Sequence, residues 1–326
     1  MQLMKEHLLR AREATMAFSL PQKTEIDLLN ISENITYLLK DPTNLKRYAL
    51  RLNRPGYNSR SEIRSELYWI KQLREIAGIE IPAFILSASG ESVIILNDQI
   101  TTAVLFEYID GSEPGNETLV DDFRSLGEIA AKMHNFSRHF TLPKNFQRFT
   151  WDFQHMVGAN GRWGNWSIDG IGISVEIKQL LVEVSKKIES ELSHYGMGVE
   201  KFGLIHGDMR LTNIIKNDEG MHLIDFDDSG FSWYIYDLAA SLSFIEVSPN
   251  LSELIASWIS GYKTVGKLST ADQEIIPTMI MLRRLLLLAW VGTHQFSPFA
   301  KEINSTFTKD TYVLGEKYLA NSLYWQ

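Results

Sequence analysis

The chain has 326 residues, of which 44% are hydrophobic and 22% charged. That balance belongs to an ordinary globular protein with room for two domains or lobes. A net charge of −8 argues against a basic face for nucleic acid or a membrane surface, and the lack of Cys excludes disulfides, thiolate nucleophiles and Cys-zinc sites while fitting a reducing, cytoplasmic setting.

Residues 1–17 read as an amphipathic helix; Lys5, Glu6, Arg10, Arg12 and Glu13 interrupt any signal-peptide apolar stretch. From Glu25 to Asn53 the pattern shifts to three short strands, EIDLLN, ITYLLK and RYALRLN, with turns at Ile31-Ser32-Glu33-Asn34 and Asp41-Pro42-Thr43-Asn44. Arg51 sits on the third strand between Leu50 and Leu52. Residues 59–77 form a helix with Ile63, Leu67, Ile70 and Leu73 on one face and Glu62 and Glu66 one turn apart. IPAFILSASG, ESVIILND and TAVLFEYID continue the sheet, and Asp110-Gly111 and Pro114-Gly115 mark a break in the chain.

A helix over residues 118–136 buries Val120, Phe123, Leu126, Ile129, Ala130 and Met133, with His134 near its C-terminal end in a packing role. Residues 149–172 set Trp151, Phe153, Trp163 and Trp166 among glycines and polar residues. These rings form either a stacking wall or cation–π cage for an acceptor, with Trp163 and Trp166 as contacts, or the loop's own core. Further helices are predicted over 175–194, 251–265, 271–294 and 301–323. The apolar run 285–292 is too short to span a bilayer and reads as buried.

The chemistry concentrates in Gly203 to Asp228, GLIHGDMRLTNIIKNDEGMHLIDFDD, read as strand, loop and hairpin with carboxylates at both ends. Phosphoryl transfer needs a divalent metal against phosphate charge and a residue that orients the attacking hydroxyl. Magnesium favours oxygen ligands, which Asn213 and Asp225 supply, with Asp227 or Asp228 for a second ion or the acceptor. Asp208 is then a free carboxylate that accepts the acceptor's proton, and Arg210 brings forked donors to a phosphoryl oxygen. Asp208 and Asn213 have the D-x-x-x-x-N spacing of a kinase catalytic loop, and Asp225-Phe226-Asp227 stands where D-F-G stands.

HGD-x4-N followed by IDFDD, with YDLA downstream in FSWYIYDLAASLSF, resembles the aminoglycoside phosphotransferase and choline kinase superfamily from about Glu25 to Asp310. It is similar to the bacterial members grouped with homoserine kinase, hydroxylysine kinase and the stress-response kinase. The resemblance implies an α+β, bilobal protein-kinase-like fold. Residues 1–107 would form a nucleotide-binding lobe of antiparallel sheet plus helix, and 108–326 a mainly helical catalytic and acceptor-binding lobe.

It implies ATP and Mg2+ as cofactors and γ-phosphate transfer to a small-molecule hydroxyl: an amino alcohol, homoserine-like, aminoglycoside-like or sugar acceptor. A protein Ser/Thr acceptor is the alternative. A nucleotide-binding regulatory protein that transfers weakly is a third reading, supported by Arg51 and the glycine-free first turn. Residue by residue, Ser32 and Asn34 fall in the nucleotide loop and offer donors to phosphates. Arg51 replaces the family's lysine and Glu66 is its partner. Glu107 and Ile109 offer a backbone carbonyl and amide to adenine, while His206 and Asp237 brace the catalytic loop.

Overall fold

A computed structural model describes residues 2–31 and 34–323 of the chain. The chain divides into two compact units, each discontinuous in sequence. The first is Met1–Ser112 with Leu142–Arg148 and Ile215–Asp227; the second is Glu113–Thr141, Phe149–Ile214 and Asp228–Gln326.

In the first unit, α1 (Gln2–Ala17) precedes β1 (Glu25–Ile31), β2 (Ile35–Lys40) and β3 (Arg47–Asn53), an antiparallel run in which Ile35 pairs with Leu52 and Lys40 with Arg47. α2 (Arg60–Glu75) starts at Ser59, whose side chain accepts from Glu62 N while the Glu62 carboxylate accepts from Ser59 N. This reciprocal pair satisfies two donors left bare at a helix start. β4 (Phe84–Ile85), β5 (Ile94–Ile95) and β6 (Thr102–Glu107) complete a sheet of order β1-β2-β3-β6-β4, with β5 also on β6. β4 and β5 are shorter than their apolar runs suggest, because a turn at Ser87, where Gly90 N donates to Ser87 O at 2.9 Å, diverts the chain between them.

Side chains alternate across a strand. Leu50 and Leu52 of β3 therefore join Ala11, Ala14, Tyr37, Leu39 and Leu105 in one apolar cluster, and Arg51 between them points to the other face. β3 lies between β2 and β6, so Arg51 is on an interior strand and is buried.

The second unit is mainly helical. It contains α3 (Leu119–His139), the one-turn helices α4 (Phe153–Met156) and α5 (Trp166–Asp169), and α6 (Val175–Tyr195). β7 (Phe202–Ile205) follows. β8 (Ile214–Asn217) and β9 (Gly220–Leu223) pair as a two-stranded sheet that belongs to the first unit from Ile215 on. β10 (Gly230–Trp233) pairs antiparallel with β7, Ile205 opposite Gly230.

α7 (Tyr236–Ser241), α8 (Leu251–Val265), α9 (Thr270–Glu274), α10 (Ile276–Thr293) and α11 (Pro298–Leu319) complete it. The single helix expected over 271–294 is two. Pro277 lacks the N–H that a continuous helix needs and sits instead in the first turn of α10. The segment 270–293 is long and apolar enough to cross a membrane, but its most apolar window is 89% buried inside the protein, and it serves as a core helix.

Candidate active site

Burial of charge organises the candidate residues of the first unit. Arg51 Nη1 and Nη2 donate to Glu66 Oε1 and Oε2 at 2.8 and 3.1 Å, a bidentate fork with Glu66 wholly inaccessible. A planar guanidinium matches a carboxylate this way, and an ammonium does not. Burial opposes the Arg51 charge, yet Glu66, Asp227 and Asp225 together hold its pKa above the ordinary value. Arg51 Nε is a buried donor with no partner among the described residues.

Arg148 joins from a distant stretch. Nη1 lies 4.0 Å from Glu66 Oε2 and Nη2 donates to Asp227 O at 2.6 Å. Asn58 Nδ2 also donates to Asp227 O, at 2.9 Å. These bonds fix the segment after β9, where Phe226 packs edge-on against Trp69 with ring centroids 5.8 Å apart.

Asp225 is exposed and adopts φ 63°, a left-handed backbone that aspartate tolerates better than bulkier residues. Asp227 is buried beside it. Burial first, and then repulsion from Asp225, pushes the Asp227 carboxyl well above the usual range. Two carboxyls held together against their own repulsion suit a hard cation that takes one or two carboxylates alongside phosphates and waters. No cluster of three or more His, Cys, Asp or Glu side chains suited to a metal occurs among the described residues.

Asn34 Nδ2 donates to Asp227 Oδ2 at 2.6 Å and Asn34 Oδ1 accepts Arg54 N at 3.1 Å. Expected to offer donors to phosphate, Asn34 is instead engaged with Asp227. Ser32 lies outside the described residues. Glu107 N donates to Ala83 O at 2.8 Å where β6 ends, and Ile109 follows, half-buried.

In the second unit the loop after β7 carries Asp208. Gly207 has φ 81°, and a Cβ there would run into the Asp228 backbone carbonyl, so the loop requires glycine. Asp237, from the first turn of α7, accepts Gly207 N at 2.9 Å and His206 N at 3.2 Å. His206 Nδ1 accepts Asp208 N at 3.3 Å. The third partner of Asp237 is His134, with Nε2 at 3.0 Å and Nδ1 at 3.1 Å from Tyr262 Oη. α3 runs on to His139, so His134 is not at a helix end as expected but within the network that holds the catalytic loop. A carboxylate only accepts, so Nε2 carries the proton, and Nδ1 accepts from the tyrosine.

Asp208 is not the free carboxylate expected of it. Oδ1 accepts from Arg283 Nη2; Oδ2 accepts Asn213 Nδ2 at 2.9 Å and pairs with Arg210 Nε at 3.2 Å. Burial raises its pKa, but Arg210, Arg283 and His206 prevail and hold it below the usual carboxylate range. Asn213 also bonds Asp208 O at 2.8 Å through Nδ2, which leaves its Oδ1 as the atom able to bind a cation. The Arg210 guanidinium, expected at a phosphoryl oxygen, lies against Asp208 with Phe244 6.0 Å away.

The profile of the phosphotransferase enzyme family matches residues 29–269. This chain belongs to that family. The phosphotransferase is 24% identical over 301 residues to the amicoumacin kinase of Bacillus subtilis (strain 168), covering 86% of this chain and 83% of that one. It is 36% identical to a structure described as the microcompartment-associated aminopropanol kinase, with TM-score 0.90, 97% of this chain and 99% of that chain covered. A complex of amicoumacin kinase hAmiN with AMP-PNP, Ca2+ and Ami shares the fold at 20% identity and TM-score 0.76 over 95% and 96% of the two chains. With its N-terminal antiparallel sheet and mostly helical C-terminal part, the phosphotransferase has the protein-kinase-like fold and is a small-molecule kinase.

The stretch 149–172 builds core in this phosphotransferase rather than an open cage. Trp163 and Trp166 are only 6% and 4% exposed, and Trp163 packs edge-on against Trp151 with centroids 5.4 Å apart. Trp151 Nε1 donates to Asp228 O at 2.7 Å and fixes the chain ahead of β10; Asp228 itself is buried. Arg148 is a charged residue that sequence reasoning did not place, whereas mid-helix Arg283 is open in the sequence either to the acceptor or to a core carboxylate, and it pairs with Asp208. Arg148 belongs to no motif. A mid-helix arginine in an apolar helix needs a buried acceptor.

Proposed function

We propose that this phosphotransferase moves the γ-phosphoryl group of ATP to the hydroxyl of a small amino alcohol, with Mg2+ as the cation and the cytoplasm as its setting. The observation that carries this reading is the 36% identity to the aminopropanol kinase over nearly the whole of both chains. Asn213 and Asp225 would hold the cation, and Asp227 lies next to Asp225. When bound, that ion neutralises charge on the transferring phosphate.

Arg51 presents its charge to the nucleotide phosphates while Glu66 fixes the fork, and the backbone at Glu107 and Ile109 receives adenine. Asp208 orients the acceptor hydroxyl and takes its proton late, since a carboxylate of lowered proton affinity is a weak base at the outset. Arg210 keeps positive charge next to the reacting oxygens.

Purified protein with Mg-ATP is offered aminopropanol, ethanolamine, choline, homoserine and an aminoglycoside in turn. ADP release gives the rate, and phosphorus NMR identifies the ester formed. An amino alcohol is expected to give the highest kcat/KM, and Asp208→Asn to lower kcat by about 10²–10⁴-fold. An aminoglycoside turned over faster than every amino alcohol would overturn the acceptor, and an Asp208→Asn variant within a few-fold of wild type would overturn the mechanism.

A further inference from the structure

We propose that Arg283, in the middle of α10, is a positioning residue that locks the side chain of Asp208 in one rotamer and backs it with the aromatic segment around Trp163. The inference rests on the kinase reading above and gives that reaction a residue outside its sequence motif.

All of the guanidinium's nitrogens are committed within the second unit. Nη2 bonds Asp208 Oδ1, Nε donates to Ser243 Oγ at 2.9 Å, and Nη1 lies 3.4 Å from Gly207 O and 3.3 Å from Tyr236 Oη. Arg283 thus holds the carboxylate and the backbone just before it with a single planar group. Its own position is fixed from behind, since its charged carbon lies 5.2 Å from the centre of the Trp163 ring and 6.0 Å from that of Tyr236.

The arginine is 1% exposed on a helix that is otherwise apolar except for Thr278, Thr293 and the neighbouring Arg284, which pairs with Glu246 instead. A buried charge is costly unless its donors are met, and here one of the acceptors is the group that faces the acceptor hydroxyl. Asn213 and Arg210 approach Oδ2, and Arg283 holds Oδ1. Without Arg283 the carboxylate keeps contacts on one oxygen only and can swing about its side-chain bonds. A misplacement of about 1 Å at a reacting group costs on the order of 10²-fold in rate.

The same contacts give the Trp-rich stretch a role. Trp163 is the rear wall of Arg283, and the acceptor-contact role first considered for that ring passes to its support of Asp208.

The test compares Arg283→Met, Arg283→Lys and Arg283→Ala with wild type, each checked for melting temperature. Arg283→Met should lower kcat about 10–100-fold with KM for ATP within about two-fold, the pattern of an interaction made in the transition state alone. Lysine, which lacks the fork, should restore only a minor part. Millimolar guanidinium added to Arg283→Ala should raise kcat several-fold by refilling the vacated space, a response that loss of packing would not give.

A crystal structure of Arg283→Met should show Asp208 in a different rotamer or in several. That readout stands even if wild type phosphorylates none of the acceptors offered, which would count against the function alone. The inference is overturned if Asp208 keeps its rotamer in that variant. It is equally overturned if a folded Arg283→Lys or Arg283→Met enzyme keeps kcat within about three-fold of wild type.

Discussion

Arg51 replaces the lysine that the family resemblance leads one to expect, and the replacement comes with its own logic. Its fork occupies both oxygens of a Glu66 that water does not reach. Truncating one partner of such a pair leaves the other buried and uncompensated, at about 3–5 kcal/mol. Arg51→Met should lower the unfolding free energy by that amount in a urea titration. A loss below about 1 kcal/mol would mean that Arg148 alone satisfies Glu66. His134 supplies a second test at this scale. Burial is the main cause that lowers its pKa below the ordinary 6.5, while Asp237 pulls it upward. The unfolded chain therefore takes up a proton near pH 6.5 that the folded chain refuses until lower pH. The stability this group contributes is present above pH 6.5 and is lost as pH falls through the folded value. His134→Gln keeps a donor toward Asp237 and does not titrate, so its melting temperature should fall less steeply than that of wild type from pH 7 to pH 5. Parallel slopes for the two proteins would assign the acid sensitivity elsewhere.

The contact between α3 and α8 is what brings His134 within reach of Tyr262. A Cβ at Gly127 would overlap Trp258 O, and one at Gly261 would overlap Arg124 O, so the two helices meet backbone to backbone through glycine. Gly261→Ala must push them apart, and overpacking of this kind costs about 1–3 kcal/mol. A lowered melting temperature is expected, accompanied by reduced kcat because His134 on α3 shifts relative to Tyr262 and so bears differently on Asp237; an unchanged melting temperature would show that the crossing gives way freely. Periodicity marked both helices, and α8 runs over Leu251–Val265 as anticipated. It did not mark their contact, because a glycine inside a helix looks the same whether it faces solvent or another backbone. The break before α10 is marked by Pro277, whose missing N–H outweighs an apolar periodicity that runs on through it. Short pairings such as β4 and β5 carry almost no pattern, since two residues cannot display a period of two.

At the scale of the whole chain, legibility follows distance along the sequence. Asp208, Asn213, Asp225 and Asp227 fall within twenty residues, and their spacing is imposed by a loop and a hairpin, so the motif could be read directly. Arg148 reaches Asp227 across 79 positions and Arg283 reaches Asp208 across 75, and only the folded chain makes those pairs. The proposed ligands test the assembled protein. A ligand that binds only the native state adds about 2.7 kcal/mol to stability at a hundred times its Kd. Mg-ATP should therefore raise the melting temperature in a thermal shift assay, and EDTA should remove the part of the increase that depends on the cation. Asp225→Asn weakens an oxygen ligand without changing side-chain size, so it should lose that cation-dependent part while keeping whatever ATP gives by itself. If the variant responds to Mg-ATP as wild type does, the exposed carboxylate at the left-handed turn is not the metal ligand. If instead neither protein responds to ATP at any metal concentration, the nucleotide assignment falls, whatever the fold shares with its relatives.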